Sequence, residues 1–438
     1  MRHWLATRLK SVFRLSTNSA TSLRRFRGRP KVNSDRSICL CSLASVGVFV
    51  AAGFLGCANS APQVKNLHFK SIVVDGHSDT TPKFQDPSWN FAERHTIADG
   101  DMDLPRIREG GLDVQFWSIY MGKRETPGAA IREALERIDA VYDMAARHPH
   151  DVVVAHSVAE IRAAVADGKF VSLMGIEGGH IIEESLPALR NFYRLGVRYM
   201  TLTHSFHTTF ADSSGTGETP EPVHDGLTDF GREIVVEMNR MGMLVDISHV
   251  SDKTFFDTLE VTRAPVIASH SSVRAIADHP RNMTDDMLRA LAENGGVVMI
   301  NFYPVYIDEV ARAKATEYFK EHAAVLGKMR AEADPAKRRD AYRKHFANYP
   351  VPQTSLDVLL DHFDHAIKVA GPDHVGIGGD WDGVPSLPVG MDEINKLPAL
   401  TEQLLARGHS PDTVRKVLGE NLLRVLEQAE RFAAATPR

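Results

Sequence analysis

Residues 171–179, VSLMGIEGG, form an apolar run that ends in one carboxylate, Glu177, and a pair of glycines. Seven further runs of this kind occur between residues 72 and 383. They are IVVDGHSD (72–79), GLDVQFWSIY (111–120), MTLTHS (200–205), LVDISH (244–249), VIASHS (266–271), VVMINFYP (297–304) and VGIGGDWDG (375–383). Each run carries polar residues able to do chemistry. We take as the polar ends His77, Asp79, Gln115, Glu177, His204, His249, His270, Tyr303 and Asp380.

The rhythm of these runs predicts the fold. Strands that are apolar throughout are buried on both faces, as in parallel sheets. Helical patterns separate the runs at residues 129–147, 185–195, 228–241, 284–294 and 355–370. Eight repeats of strand and helix predict a (β/α)8 TIM-type barrel of the α/β class, in which the carboxyl ends of the strands build the active site. A doubly wound open sheet is the alternative, but it does not explain polar residues at nearly every strand end.

Two segments depart from this rhythm. Residues 308–350 are charged and helical in pattern, and they predict an insertion that covers the mouth of the barrel after the seventh predicted strand. Residues 211–226, ADSSGTGETPEPVHDG, have the composition of a loop.

The first 61 residues predict a separate segment. Nine Lys or Arg occur within residues 1–31 without an acidic residue, and an uncharged stretch with an apolar core follows from residue 37 to 61. This order is typical of an export signal, although the apolar run is also marginally long enough for a membrane anchor. The phrase FLGC (54–57) is similar to a bacterial lipobox, in which Cys57 would carry lipid. We therefore expect an exported protein, periplasmic or anchored to the bacterial cell envelope, with its barrel domain at residues 62–438.

Charge and cysteine content restrict the chemistry of this domain. Without residues 1–61 the chain has 41 basic and 55 acidic side chains, a net charge near −14, which argues against nucleic acid as a partner. All three cysteines, Cys39, Cys41 and Cys57, lie in the leader. The barrel domain therefore has no disulfide and no thiol ligand, and any metal must be held by His, Asp and Glu.

Several polar strand ends have the chemistry of metal ligands. His77 and Asp79 alternate on an extended chain, so both side chains can face one ion. His249 and His270 end neighbouring predicted strands in the similar phrases DISH and IASH, and neutral imidazole is a common zinc ligand. A buried carboxylate is costly unless it is paired or binds metal, and its two oxygens can hold two ions. Each motif alone also fits an ordinary structural role, so the prediction rests on the set.

The set resembles the zinc-dependent membrane dipeptidases, or renal dipeptidases, of the amidohydrolase-like barrels. The resemblance covers about residues 68–430 and is carried by DGHSD, GIEGGH, MTLTHS, DISHVS, ASHSS, Arg281-Asn282 and GIGGDWDG. It implies two zinc ions per subunit, bridged by the catalytic carboxylate of Glu177. His77 and Asp79 would bind one ion, and His249 and His270 the other.

The same resemblance implies how dipeptides are bound and cleaved. His204 would contact the tetrahedral intermediate, Arg281 would hold the substrate's free carboxylate, and Asp380 would transfer a proton to the leaving amine. Tyr303 is a further candidate for substrate binding. The expected reaction is hydrolysis of the peptide bond of dipeptides by a hydroxide that bridges the metals. Family members are commonly dimers, and a homodimer here would lack a disulfide.

Two positions depart from the family pattern, and two other functions stay open. Ser78 replaces the usual Asn of DGHND, and Trp381 replaces a Phe or Tyr, which predicts an altered pocket shape. The alternatives are another amide or lactone hydrolase on the same binuclear site, and an envelope lipoprotein that binds peptides without cleaving them. A need for a free substrate carboxylate would favour the dipeptidase over the first, and bound metal would argue against the second.

Overall fold

The structure is a computed structural model that describes residues 64, 66–217, 219–330 and 353–436, together with residues 332, 337, 341, 344 and 345. The predicted export signal and Cys57 lie outside these residues, as does most of residues 331–352 of the predicted insertion.

The described residues form nine strands that pair in parallel. They are β1 (Val74–Ser78), β2 (Val114–Ile119), β3 (Val152–Val154), β4 (Phe170–Glu177), β5 (Val197–Thr201), β6 (Leu244–Asp246), β7 (Ile267–Ser271), β8 (Val297–Asn301) and β9 (Val375–Gly378). Eight of them close a barrel in the order β1, β2, β4, β5, β6, β7, β8, β9 and back to β1. The predicted TIM-type barrel is confirmed. The sequence reasoning missed β3, a strand of only three residues that pairs beside the start of β4, outside the ring.

Helices surround the barrel in the expected alternation. In the described ranges they are α1 (Thr81–Phe84), α2 (Leu104–Gly110), α3 (Ala129–Arg147), α4 (Val158–Ala166), α5 (Leu186–Arg194), α6 (Asp229–Met241), α7 (Asp252–Val261), α8 (Asp285–Asn294), α9 (Pro304–Ile307), α10 (Glu309–Glu321), α11 (Ala323–Arg330), α12 (Leu356–Ala370), α13 (Leu397–Ala406), α14 (Pro411–Arg415) and α15 (Asn421–Ala435). Short 3-10 turns (Gly179–Ile182 and Ile394–Lys396) and a π-turn (Lys416–Glu420) complete the described elements. No helix among these residues combines the length and apolar character that a membrane crossing requires.

Local sequence signals set the ends of these helices. The hydroxyls of Thr228, Ser251 and Thr284 accept the first free backbone N–H groups of α6, α7 and α8. Gly242 and Gly295, both in the left-handed conformation, end α6 and α8. Each helix therefore stops at a defined residue, and the chain returns to the next strand of the barrel.

The two ends of the barrel differ in chemistry. At the amino-terminal end, Leu422 and Leu426 of α15 pack in one buried cluster with Val74, Val114 and other residues near the strand starts, forming an apolar floor. At the carboxyl-terminal end, Ala315 and Tyr318 of α10 pack against Tyr303 and Tyr306, which follow β8. The polar ends of the strands thus lie above an apolar core and next to helix α10.

Candidate active site

The five predicted ligands meet at the carboxyl-terminal end of the barrel, with three histidines around one carboxylate oxygen of Glu177. Glu177 is the last residue of β4, and its Oε1 atom lies 3.0 Å from His249 Nε2, 3.4 Å from His270 Nε2 and 3.6 Å from His77 Nε2. Asp79 joins from beyond β1, with Oδ2 3.5 Å from His77 Nε2. The structure therefore brings together the residues that the sequence singled out.

Three overlapping groups in this cluster could hold metal ions. They are His77, Glu177 and His270; Glu177, His204 and His249; and His77, Asp79 and Asp380. The candidate ligand atoms of each group all lie within 4.8 Å of one another. Glu177 belongs to two of the groups and His77 to two, so neighbouring ions would share ligands, as in two-metal hydrolases.

The protonation states suit cation binding. Burial lowers the pKa of His249 and of His270 well below the ordinary value, so both rings are neutral and offer a lone pair. Burial acts to raise the pKa of Glu177, but the surrounding imidazoles hold it well below its ordinary value. An ionised carboxylate beside the two neutral imidazoles of His249 and His270 is a donor set that suits a divalent metal such as zinc.

One orphaned atom and one close contact test whether a cation fits this cluster. His77 Nε2 is fully buried and has no hydrogen-bond partner, although it faces two carboxylates. The Nε2 atoms of His249 and His270 lie 2.8 Å apart, and both also face Glu177 Oε1. A buried polar atom without a partner costs about 1–3 kcal/mol. A cation would satisfy these lone pairs, so the residues fit a metal centre.

Outer hydrogen bonds fix the orientation of the imidazoles. The Tyr199 hydroxyl donates to the Gly76 carbonyl and lies 2.9 Å from His77 Nδ1, so it accepts the Nδ1 proton, and Nε2 is the ring atom that faces the carboxylates. His270 Nδ1 lies 2.8 Å from the Ser269 hydroxyl, which donates to the buried carboxylate of Asp246 at 2.6 Å. Such partners set the tautomer of a ligand histidine and raise its basicity.

Backbone strain is concentrated at the same place. His249 and Asp380 both have left-handed backbone conformations, with φ of 64° and 59°. For residues other than glycine this costs of order 1 kcal/mol or more each. The His249 carbonyl accepts hydrogen bonds from the Thr203 hydroxyl and the Ser214 N–H, which stabilise the turn. The fold thus maintains a conformation that points both side chains into the cluster.

Asp380 has the environment of a proton-transfer group. Burial raises its pKa to about 7, against the opposing effect of His77, while the charges of Asp79 and Glu177 raise it further. The Asn301 amide donates to its Oδ2 atom at 3.0 Å. A carboxyl group poised near neutral pH can both accept and give up a proton.

A cavity of about 460 Å³ opens onto the cluster. It is lined by Glu177, His204, Tyr303 and Asp380, and also by Tyr120 and Tyr306. The sequence reasoning missed the last two. Tyr120 directly follows β2, and its position after an apolar strand was the available signal. Its ring lies 4.3 Å from that of His204.

Arg281 lies behind this cavity and is buried. Its guanidinium donates to the His270 carbonyl at 2.9 Å, and its Nε atom has no hydrogen-bond partner. The positive charge acts to lower the pKa of His204 and of His249, although burial is the larger cause in both. Arg281 is therefore adjacent to the metal-binding groups and not on the surface.

Two expectations about the pocket are wrong. Gln115 is the second residue of β2, deep in the barrel, where its amide donates to Asp75 Oδ1 at 2.9 Å. The run that contains it begins in a loop, so the strand ends four residues beyond Gln115, at Ile119, and Tyr120 follows it. Trp381 does not line the cavity; it is fully buried, donates to Asp75 Oδ2 and packs against Phe302. Ser78 also points away from the cluster, toward Thr80.

The barrel and its donor set define a metal-dependent hydrolase of the amidohydrolase-like class. The sequence profile of the membrane dipeptidases, peptidase family M19, matches residues 61–438, and the chain belongs to this family.

Solved structures agree with this assignment. A metallopeptidase of family M19 described as dipeptidase AC is 29% identical, with a TM-score of 0.66 over 82% of this chain and 98% of that one. A metallopeptidase from Rhodobacter sphaeroides, solved with a phosphinate mimic of the dipeptide L-Ala-D-Ala, is 27% identical, with a TM-score of 0.66 over 82% and 99%. The probable dipeptidase PvdM from Pseudomonas aeruginosa shares the fold at 23% identity, with a TM-score of 0.73 over 86% and 100%.

Proposed function

We propose that this protein hydrolyses the peptide bond of dipeptides with two zinc ions. His77 and Asp79 would hold one ion, His249 and His270 the other, and Glu177 both. Divalent ions bound here would lower the pKa of water to about 7 and polarise the scissile carbonyl. The observation that carries the proposal is the convergence of His77, His249 and His270 on one oxygen of Glu177, within 3.6 Å.

His204 and Asp380 would act on the reacting atoms. The His204 side chain is 17% exposed, and its Nε2 lies 3.6 Å from Glu177 Oε1, so the ring can face both the cluster and a bound substrate. We assign it to the oxyanion that forms when the carbonyl is attacked. Asp380, with its raised pKa, would take a proton during attack and give it to the leaving amine.

Arg281 would select substrates with a free carboxylate beyond the scissile bond. A guanidinium is the preferred partner of a carboxylate because its N–H groups match both oxygens. Its Nε–H is buried without a partner, so a carboxylate there would satisfy it. Tyr303 lines the cavity in front of the metal-binding cluster and would contact the substrate. The relative solved with a dipeptide mimic supports a dipeptide as the substrate.

The test combines metal content with hydrolysis rates. Purified protein should contain zinc and cleave free dipeptides from a panel of L,L and L,D substrates, while C-terminal amides should be cleaved at least tenfold more slowly. Glu177→Ala should lose both bound zinc and activity. Equal rates on free and amidated dipeptides would contradict the role of Arg281 and favour a broader amide or lactone hydrolase. Full activity of Glu177→Ala would refute the metal assignment.

We also propose that the enzyme works outside the cytoplasm. The basic and apolar pattern of residues 1–61 supports export, and FLGC (54–57) supports a lipid on Cys57. Fractionation of cells that express the full chain tests this: wild type should be found with the envelope. Cys57→Ala should be released into the soluble periplasmic fraction if lipid is the anchor. A homodimer without a disulfide is testable by light scattering of the same protein.

A further inference from the structure

We infer that His279, which touches neither the metal ligands nor the cavity, is the positioning residue for the substrate-carboxylate pocket. It acts by fixing Arg281, Tyr306 and the 211–226 loop relative to one another. This inference rests on the proposed role of Arg281 in binding the substrate carboxylate. It assigns specificity to a buried ring that the sequence reasoning did not single out.

The contacts of His279 connect three separate elements. The side chain is 1% exposed, and its Nδ1 atom accepts the backbone N–H of Arg281 at 3.1 Å. The ring also bonds to the backbone carbonyl of Thr216, in the 211–226 loop. Its face lies against the ring of Tyr306, with the centroids 4.5 Å apart. Thr216 and Tyr306 both line the cavity, so one imidazole contacts two parts of its wall and also Arg281 behind it.

These contacts require one tautomer of the neutral His279 ring. Nδ1 accepts from Arg281 N–H and must be unprotonated, which leaves the proton on Nε2 to donate to Thr216. Burial, and to a smaller extent the charges of Arg281, Arg312 and Arg274, lower the pKa of His279 to about 3. The neutral form with the proton on Nε2 therefore persists at every pH at which the enzyme would work.

The guanidinium of Arg281 depends on the same contacts. Arg281 lies over the ring of Tyr306 at 5.5 Å, in a cation–π arrangement, and the position of Tyr306 is fixed in turn by His279. The Asn282 amide, which follows Arg281, donates to the Tyr306 carbonyl at 2.6 Å. If the His279 ring is removed, both the backbone and the ring beneath the guanidinium lose a support. The metal ligands lose none.

Steady-state kinetics of the zinc-loaded enzyme tests the inference on a good free dipeptide substrate and its C-terminal amide. We expect His279→Ala to raise KM for the free dipeptide about tenfold, the loss of about one hydrogen bond, with kcat within about threefold of wild type. Bound zinc should not change. The preference for the free over the amidated substrate should shrink.

Two conservative variants separate positioning from general structure. In His279→Asn the Asn Oδ1 replaces Nδ1 and still accepts from Arg281 N–H, so KM should return toward wild type. In His279→Gln the amide reaches toward Thr216 and leaves Arg281 N–H without its acceptor, so KM should stay high. His68 supplies the control. It is fully buried and bonds to Thr401 and Gly110 ahead of β2, at the opposite end of the barrel. His68→Ala should lower stability and leave KM unchanged.

An unchanged KM in His279→Ala would overturn the inference. So would a fall in kcat and in bound zinc of His279→Ala as large as its rise in KM. An equal rise of KM in His68→Ala would also overturn it. If His279→Ala does not fold, the Asn and Gln variants decide, and equal KM values for the two would overturn it. Failure of the proposed function is distinct, because it would be seen in wild type as equal rates on free and amidated dipeptides.

Discussion

The hydroxyl of Tyr199 offers a direct test of how the fold prepares a ligand for metal. In Tyr199→Phe the ring and its packing remain, but His77 Nδ1 and the Gly76 carbonyl lose their partner at 2.9 and 3.2 Å. Both groups are buried, so water cannot replace the hydroxyl. His77 is then free to move its proton to Nε2, which would remove the lone pair that faces Glu177.

The expected size of the effect follows from two estimates. An unsatisfied buried N–H costs about 1–3 kcal/mol. Loss of an outer partner of a metal-bound histidine typically weakens metal binding about 10- to 100-fold, which corresponds to about 1.4–2.8 kcal/mol. Because the two ranges agree, we expect Tyr199→Phe to weaken binding at the His77 position about 10- to 100-fold.

Competition with a chelator of known zinc affinity measures this directly, alongside urea unfolding of the metal-free protein. Tyr142→Phe is the matched control, because its hydroxyl also contacts a histidine, His156, at 2.9 Å and donates to the Leu195 carbonyl. That site is remote from the metal ligands, so only stability should change. A Tyr199→Phe protein that folds and retains wild-type zinc affinity would refute the reasoning.

Two further predictions concern stability. Glu183 accepts hydrogen bonds from the N–H groups of Gly128 and Ala130 at the start of α3. Glu183→Ala should therefore lower the free energy of unfolding, measured by urea titration, by about 1–2 kcal/mol. Glu184→Ala is the control, because Glu184 is an exposed neighbour that also has positive φ, and its effect should be smaller. Arg240 and Arg190 lower the pKa of Glu237 to about 2, and the stabilisation this provides is present above pH 4.5 and is lost as pH falls toward 2. At pH 7 the free energy of unfolding of Glu237→Gln should therefore be about 1–2 kcal/mol lower than that of wild type, a value that already allows for solvent screening of the charges. A difference between the two proteins that did not shrink from pH 4.5 to pH 2 would contradict this prediction.

The barrel and its metal-binding residues can be predicted because a short stretch of sequence specifies each of them. An apolar run with a His or Glu at its end, such as LVDISH, which ends in His249, specifies both a buried strand and a side chain at the barrel mouth. Tyr120 escapes prediction because the run from residue 111 to 120 has a polar residue in its interior, Gln115, and the strand extends four residues beyond it. Asp246 and Tyr199 could not be identified as supports, because their partners, Ser269 and His77, are distant in sequence and only the barrel brings them together.

The position of Arg281, which would bind the substrate carboxylate, could not be predicted from the sequence for the same reason. Arg281 follows β7 in a loop, and sequence alone does not show that its guanidinium folds back on the His270 carbonyl. Replacement of the family's Phe or Tyr by Trp381 predicts an altered pocket, but the left-handed backbone of Asp380 accompanies two side chains that diverge, with Asp380 at the cavity and Trp381 fully buried. Neighbours in sequence thus diverge where the backbone is strained.

The apolar floor formed by α15 has a consequence for biosynthesis. Leu422 and Leu426 cover the starts of strands from β1 to β8, yet they follow all of those strands in the chain. Until α15 leaves the ribosome, the base of the barrel is open and its apolar residues face water. The helix α15, which is made after all of these strands, thus completes the core, and a nascent chain that lacks it stays incompletely folded, a state suited to recognition by chaperones.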